Sequence, residues 1–292
     1  INQIVNLKSF TIKDLKKNDS TINEGYLNVA LRLLRTLDFL DFTDHNDEFL
    51  NQYKVKKNLT SFLKYENLIV DIAQIHTYCT KINFLNDDEY IELSTLILES
   101  SNNLNDEKNN LSEINYHNLE GAIIAPLLSH LSFNKNFIIE NNILSISNID
   151  STFKKNIYNI LEKNNFINAQ HNLTEKGFFF ISKCSSYGVT VSYLPMLNNI
   201  SELLIGNCNF IWNRDNENNE IHVNRSMNVW GSGGAHKNYF KQIDKIIIDI
   251  FNRNIINQPA GVIDIGCGDG TFLHHVYNII IKKTLRGKNI HK

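Results

Sequence analysis

Apolar side chains recur at helical spacing along most of residues 21–163, which predicts a series of amphipathic helices. Thr21 and Glu24 have the spacing of a capping box, so the first helix is expected to open there. Two polar stretches, residues 1–20 and 101–110, are expected to form a lead-in and a loop. The further predicted helices span residues 48–82, with a break near Asn58 or Asn67, and residues 88–99, 117–131 and 152–163.

Short β-branched runs lie on both sides of the predicted helix at 152–163. Residues 137–149 contain the turn Asn141-Asn142 and predict a β-hairpin. After the helix come Phe166-Ile167 and then Leu173-Thr-Glu-Lys-Gly177. A helix that ends in a small β-wing, with Leu-Thr-x-x-Gly at its hinge, is typical of a winged-helix-like unit. The sequence therefore predicts a mostly α-helical N-terminal lid that contains such a unit.

Winged helices often bind DNA, so a nucleic-acid role has to be weighed against a packing or dimerisation role. The predicted recognition helix carries Lys154, Lys155 and Lys163, which are too few for a convincing electrostatic footprint. The net charge of the chain is −2, which also argues against a nucleic-acid-binding surface. A packing or dimerisation module is the favoured interpretation, and no nucleic-acid partner is expected.

Two later stretches are short of charge or rich in glycine. Residues 185–197 are interpreted as a connector between two domains, because they carry no charged side chain and lead into a short helix. Residues 228–240 hold three glycines around Ser232, with His236 after them, and are expected to form a flexible loop that runs into a helix. The equally weighted alternative for this stretch is an interdomain loop followed by an N-terminal helix that packs on the sheet.

The strongest local pattern lies near the end of the chain. Residues 262–265 form an apolar, β-branched run that predicts a buried strand. Gly266, Gly268 and Gly270 follow at alternate positions, and apolar residues at helical spacing begin after Thr271. The predicted order is strand, glycine turn, helix. Without Cβ atoms such a turn can approach a ligand closely, and the first N–H groups of the helix have no intrahelical partner.

This turn resembles the first motif of the class I S-adenosylmethionine-dependent methyltransferases, in which a strand ends with an acid and continues Gly-x-Gly-x-Gly. The rival dinucleotide fingerprint, Gly-x-Gly-x-x-Gly, would need glycine where Thr271 stands. The resemblance implies S-adenosylmethionine as the cofactor and the beginning of an α/β Rossmann-like fold. The cofactor-binding residues that it implies are Asp264, Gly266, Cys267, Gly268, Asp269 and Gly270.

A wider resemblance covers three segments, residues 187–195, 229–236 and 264–272. Together they look like the methyltransferase domain of certain modular polyketide synthases, most closely the loading-module methyltransferases in which a helical lid precedes the class I fold. This family implies C-methylation of an acyl group held on an acyl-carrier protein. Some members need a divalent metal, which leaves a metal open for the full-length protein. The chain offers no metal-ligand motif.

To methylate a carbon atom, the enzyme must deal with the proton on that carbon. It does so with a general base that removes the proton or with a metal ion that stabilises the enolate. His236 is the first candidate for the catalytic base, because it follows the glycine-rich stretch near the cofactor motif. His274 and His275 lie on the helix after the motif, where one is expected to face solvent and the other to pack. A structural role remains the alternative for each of the three.

The expected division is a lid at residues 1–205 and an incomplete methyltransferase domain at residues 206–292. The acid that normally holds the cofactor ribose lies about 20 residues beyond the glycines in simple cases. No Asp or Glu follows Asp269, so this acid and the later strands are expected to lie outside a chain of 292 residues. The prediction is a C-terminally truncated enzyme that is inactive as this fragment alone.

Cysteine spacing and hydropathy bear on the compartment. The four cysteines show no C-x-x-C spacing, which gives no support to a zinc cluster and fits a reducing cytosol. No apolar run is long enough to span a bilayer, so a cytoplasmic protein without a membrane partner is expected.

Two other functions stay open. They are a small-molecule O- or N-methyltransferase with a winged-helix dimerisation domain, and a non-enzymatic winged-helix binding protein.

Overall fold

The structure is a computed structural model that describes residues 2–43, 51–268 and 270–290. Within these ranges, the structure does not describe the side chains of residues 2–3, 234–238 and 290. Helices dominate the described residues, and the strands are short. No helix among them is long and apolar enough to cross a membrane.

The first unit is a small sheet with helices packed on it. Its central strand is β3, which pairs antiparallel with β1 and β2 in the order β1-β3-β2, so that Tyr53 lies opposite both Phe10 and Phe42. The three rings stack across the sheet. The elements are α1 (Asn2–Leu7), β1 (Ser9–Phe10), α2 (Ile12–Asn18), α3 (Glu24–Thr36), β2 (Leu40–Thr43), β3 (Gln52–Val55) and α4 (Lys57–Phe62).

The predicted polar lead-in at residues 1–20 is wrong. Thr11 and Asp14 form a reciprocal capping box that opens α2, and Ile12 and Leu15 are buried in the core of the unit. The helix predicted from Thr21 exists, but its N-cap is Asn23, whose side chain accepts from the Tyr26 N–H. The polar and apolar pattern of residues 1–42 did not show which side chains pack on the sheet, because those contacts depend on strands elsewhere in the chain.

Three long helices follow and contribute to the largest hydrophobic core. Helix α6 runs well past the end predicted at residue 99, and buries Ser100, Ser101 and Leu104, so the loop predicted at 101–110 is wrong as far as residue 106. Pro126 lies inside α7, as predicted, and is buried. The long helices of the lid are α5 (Glu66–Thr80), α6 (Asp87–Asp106) and α7 (Glu113–Phe133).

The predicted hairpin and helix of the winged-helix-like unit are confirmed. Asn141 and Asn142 both have positive φ, of 48° and 68°, which is the backbone of a tight type I′ turn. The wing is completed by isolated bridges, Ile167 to Leu173 and Ile143 to Asn172. The elements are β4 (Phe137–Glu140), β5 (Ile143–Ile146), α8 (Ser151–Lys163) and α9 (Glu175–Ser182).

The hinge of the wing depends on two residues of the Leu-Thr-x-x-Gly pattern. Thr174 caps α9 by accepting from the Gly177 N–H at 3.0 Å. A Cβ on Gly177 would lie 1.9 Å from the carbonyl oxygen of Phe166, so only glycine fits there. The pattern therefore marks a place where two backbone segments touch.

The predicted connector at 185–197 and the predicted flexible loop at 228–240 are helical instead. Val191 and Leu194 belong to the main core. Helix α13 is capped by Asn224 and crosses α10 so closely that a Cβ on Gly231 would lie 2.6 Å from the carbonyl oxygen of Ser185. The elements are α10 (Cys184–Val191), α11 (Leu194–Leu197), α12 (Ile200–Ile205) and α13 (Arg225–Gln242).

The last part of the chain contains α14 (Asp244–Phe251), α15 (Thr271–Lys283) and α16 (Leu285–Ile290). Helix α15 begins at the predicted residue. The buried strand predicted at residues 262–265 is wrong for the structure described, because Ile263 and Ile265 are 88% and 95% exposed and no strand is assigned there. A strand needs a neighbour for its backbone hydrogen bonds, and the described residues place none beside it. The division at 205/206 stays a prediction.

The buried His130 makes the stability of the fold depend on pH. Burial lowers the pKa of His130 to about 4, below its unfolded value of 6.5. The unfolded chain therefore takes up a proton at this residue before the folded chain does. We expect the free energy of unfolding to fall by about 3 kcal/mol as the pH drops from above 6.5 to 4, measured by urea unfolding.

The variant His130→Gln tests this origin, because it removes the titrating group while the rest of α7 is unchanged. Its free energy of unfolding should fall less steeply over the same pH range, whatever its stability at pH 7. The exposed His274 gives the matched control His274→Gln, which should keep the steep dependence. His76, whose pKa is also lowered by burial, should leave a residual slope. Equal slopes in all three proteins would contradict the assignment.

Two helical glycines give opposite expectations for the same substitution. Gly231→Ala should destabilise the protein by about 1–3 kcal/mol, because the new methyl group meets backbone atoms of α10. Gly121→Ala on α7 meets nothing within 4 Å and should stabilise by about 0.5–1 kcal/mol through helix propensity. Thermal and urea unfolding measure both values. A stabilising Gly231→Ala would show that α10 and α13 are not in close contact.

Candidate functional site

One cleft of about 720 Å³ brings together the two stretches that the sequence singled out. Helix α13 forms one side of it, and the glycine turn with the start of α15 forms the other. The cleft is lined from α13 by Arg225, Asn228, Val229, Ser232, Gly233 and Phe240, from the turn by Asp264, Gly266, Cys267 and Gly268, and from α15 by Thr271 and Phe272.

The glycine turn has a backbone that other residues adopt only with strain. Gly266, Gly268 and Gly270 have φ values of +82°, +58° and +77°. The Gly270 N–H donates to the carbonyl oxygen of Cys267 at 2.9 Å, which closes the turn immediately before α15. A Cβ at any of the three glycines would meet nothing within 4 Å. The glycines are therefore required by the backbone conformation, and the space beside them is open.

Asp264 is the charged residue of the turn that lines the cleft. Its side chain is half-buried, and it forms no hydrogen bond or ion pair with the part of the chain that the structure describes. Its carboxylate is therefore available to a ligand. Cys267 is exposed beside it, with Sγ 3.8 Å from the carbonyl oxygen of Gly268. Asp269, the other predicted acid of the motif, lies outside the described residues.

An ion pair at the edge of the cleft escaped the sequence analysis. The guanidinium of Arg225 donates twice to Glu220, from Nε at 2.6 Å and from a terminal nitrogen at 2.8 Å. This contact lowers the pKa of Glu220 and raises that of Arg225. Asn228, one turn further along α13, donates to the hydroxyl of Ser192 at 3.0 Å. In the sequence, the only sign of this pair is that Glu220 precedes Arg225, the first residue of α13, by five positions. Such a spacing is too common to identify a site.

The two histidines of α15 lie in different surroundings. His275 Nε2 lies 2.7 Å from the carboxylate of Asp244, which Lys283 also contacts at 3.3 Å. These contacts join α14 to α15 and lower the pKa of Asp244. His274 is exposed, with Nε2 3.0 Å from the side-chain nitrogen of Asn278. The expectation that one faces solvent and the other packs is confirmed.

The predicted base His236 lies on α13, but its side chain is outside the described part of the structure. Position 236 follows Ser232 by four residues and precedes Phe240 by four, and both of these line the cleft. Residues four apart lie on the same helix face. The catalytic role of His236 stays a prediction.

Metal ligands do not gather at the described part of the cleft. Across the residues whose side chains are described, no group of three His, Cys, Asp or Glu side chains is arranged to hold a metal ion. The described cysteines are free thiols, and burial raises the pKa of Cys79 and of Cys184 to about 12. Both are therefore protonated core residues.

Two family models match separate parts of the chain. Residues 120–207, from within α7 to just after α12, match the family described as the AprA winged helix domain. Residues 220–292, which contain α13, the glycine turn and α15, match the family described as the AprA MT2-like domain. No curated protein matches the chain. The chain thus carries a winged helix domain at residues 120–207 followed by a methyltransferase-like domain at residues 220–292, each similar to a domain of AprA.

Proposed function

We propose that the chain binds S-adenosylmethionine in the cleft between α13 and the glycine turn, as part of a methyltransferase. The observation that carries the proposal is the cleft itself, in which an open turn of three left-handed glycines faces a helix of the same methyltransferase-like domain. We further propose that the acceptor is the carbon of an acyl group on an acyl-carrier protein in polyketide biosynthesis. The similarity to AprA domains supports this context.

The residues of the turn fit the methionine part of this cofactor. Glycines without Cβ atoms allow backbone N–H groups to approach a ligand, and the first turn of α15 supplies further N–H groups. Asp264 could either fix the turn or meet the cofactor's ammonium group. Because it forms no hydrogen bond with the described parts of the turn, the second role is the one that we propose. An ammonium beside a half-buried carboxylate forms a charge-assisted hydrogen bond.

When bound, the cofactor supplies an electrophilic methyl group for an in-line displacement. The contribution of the protein is to align the acceptor and to keep water away. Phe240 and Phe272, whose ring centroids are 5.0 Å apart, give the cleft an apolar wall where α13 meets α15. His236, four residues from both Ser232 and Phe240 along α13, is the residue that we propose to accept the proton from the acceptor carbon.

The exposed apolar residues before the turn indicate that this face is covered in the working enzyme. Ile263 and Ile265 project from a segment without strand neighbours among the described residues. We propose that a parallel strand pairs with residues 262–265 and that its end completes the cofactor site.

The free thiols support a reducing compartment, for which we propose the cytoplasm. We propose neither a nucleic-acid nor a membrane partner.

Gly268→Val tests the cofactor site. At a φ of +58° a β-branched residue is strained, and its side chain would also fill the open space beside the turn. We expect the Kd of the protein for S-adenosylmethionine, measured by calorimetry, to rise by about tenfold or more. Gly261→Val is the matched control, because Gly261 has open space and no positive φ. Unchanged binding by Gly268→Val would refute the assignment.

His236→Gln tests the base. Methyl transfer to a carrier-bound acyl group, measured in a single turnover, should slow by about a hundredfold or more, while the Kd for S-adenosylmethionine stays the same. His274→Gln should leave the rate unchanged. An unaffected rate in His236→Gln would exclude the base. Transfer to free small molecules but not to the carrier-bound group would support the O- or N-methyltransferase alternative.

A further inference from the structure

A second pocket, of about 390 Å³, lies apart from the cleft, where the winged helix domain meets the helices that precede it. It is formed where the ends of α6 and α8 meet α7 and the first turns of α9. Its charged lining consists of Lys108, Lys163, Lys176, Glu120 and a histidine, His117. The proposed methyl transfer gives this pocket no role.

The floor of the pocket is fixed by a buried carboxylate. Glu120 is 6% exposed, and it pairs with the ammonium group of Lys176. Lys176 also donates to the carbonyl oxygen of Asn164 at 3.1 Å and lies 4.8 Å from the centre of the Phe166 ring. His117 Nδ1 is 3.4 Å from the same carboxylate. The single carboxylate of the lining is therefore already neutralised by protein groups.

Two ammonium groups remain without a counter-ion. Lys108 and Lys163 form no ion pair or hydrogen bond with any residue that the structure describes, and Lys108 only overlies the ring of Tyr116 at 5.4 Å. Three ammonium groups against one carboxylate leave two positive charges in the lining. The nearby Glu107 does not compensate them, because Lys64 holds it at 2.9 Å. This excess stands out in a chain whose net charge is −2.

The rest of the lining is suited to a ligand with an uncharged body. Tyr116 and Phe180 supply aromatic rings, and Asn105 accepts from the Tyr116 hydroxyl at 2.7 Å, which leaves its amide hydrogens to donate. Lysine is a compact point charge that commonly binds phosphate, whereas planar carboxylate recognition favours arginine, which this lining lacks. We propose that the pocket binds a small phosphorylated molecule, with the phosphate at Lys108 and Lys163 and the organic part against Tyr116 and Phe180.

The proposal is tested with two probes, inorganic phosphate and phenyl phosphate, titrated into the whole protein and followed by calorimetry. Phenyl phosphate should bind about threefold or more tightly than inorganic phosphate, because only it reaches the rings. Lys163→Gln should raise the Kd of both probes by about fivefold or more. Lys155→Gln, on the same helix but outside the pocket, is the matched control and should change neither Kd.

Both lysines are exposed, so the variants should fold like the parent, and thermal unfolding verifies this. Equal weakening by Lys155→Gln and Lys163→Gln would show diffuse attraction to a surface and overturn the pocket. No saturable binding of either probe at about 10 mM would also overturn it. Equal affinity for the two probes would overturn the part assigned to Tyr116 and Phe180.

Discussion

The close contact between α10 and α13 is the constraint on which the rest of this structure depends. Gly231 brings α13 within van der Waals distance of the α10 backbone, and Gly188 leaves room for the ring of Trp230. Met227, on the same part of α13, is fully buried in the core of the lid. This contact fixes one end of α13, and the ring contact of Phe240 with Phe272 holds its other end beside α15, where the cleft lies.

Local patterns predicted the winged-helix part well. The turn Asn141-Asn142, the apolar spacing of α8 and the Leu-Thr-x-x-Gly hinge each determine their structure through nearby residues, and all three appear where they were expected. The glycine turn and the start of α15 could also be predicted from the sequence. Glycine adopts positive φ readily whatever its neighbours are, and all three glycines of the turn have positive φ. Such features can be predicted without knowing which distant residues they contact.

The errors arose where distant contacts decide the structure. The glycines of residues 228–240 suggested a loop, but at Gly231 the missing Cβ serves a crossing with a helix some 45 residues earlier in the chain. Residues 262–265 have the composition of a strand, yet a strand forms only with a neighbour. The ion pair of Arg225 with Glu220 is local, but an acid five residues before a base is too common in sequences to predict a site.

Helix α13 has a property that follows from its two sets of contacts. Met227 lies in the lid core, and Phe240 lies on the cleft wall, about 20 Å further along the helix axis at 1.5 Å per residue. The same helix therefore packs in the lid core near its beginning and lines the cleft near its end. The winged helix domain and the cleft are therefore joined by one continuous helix, and the position of α13 is common to both.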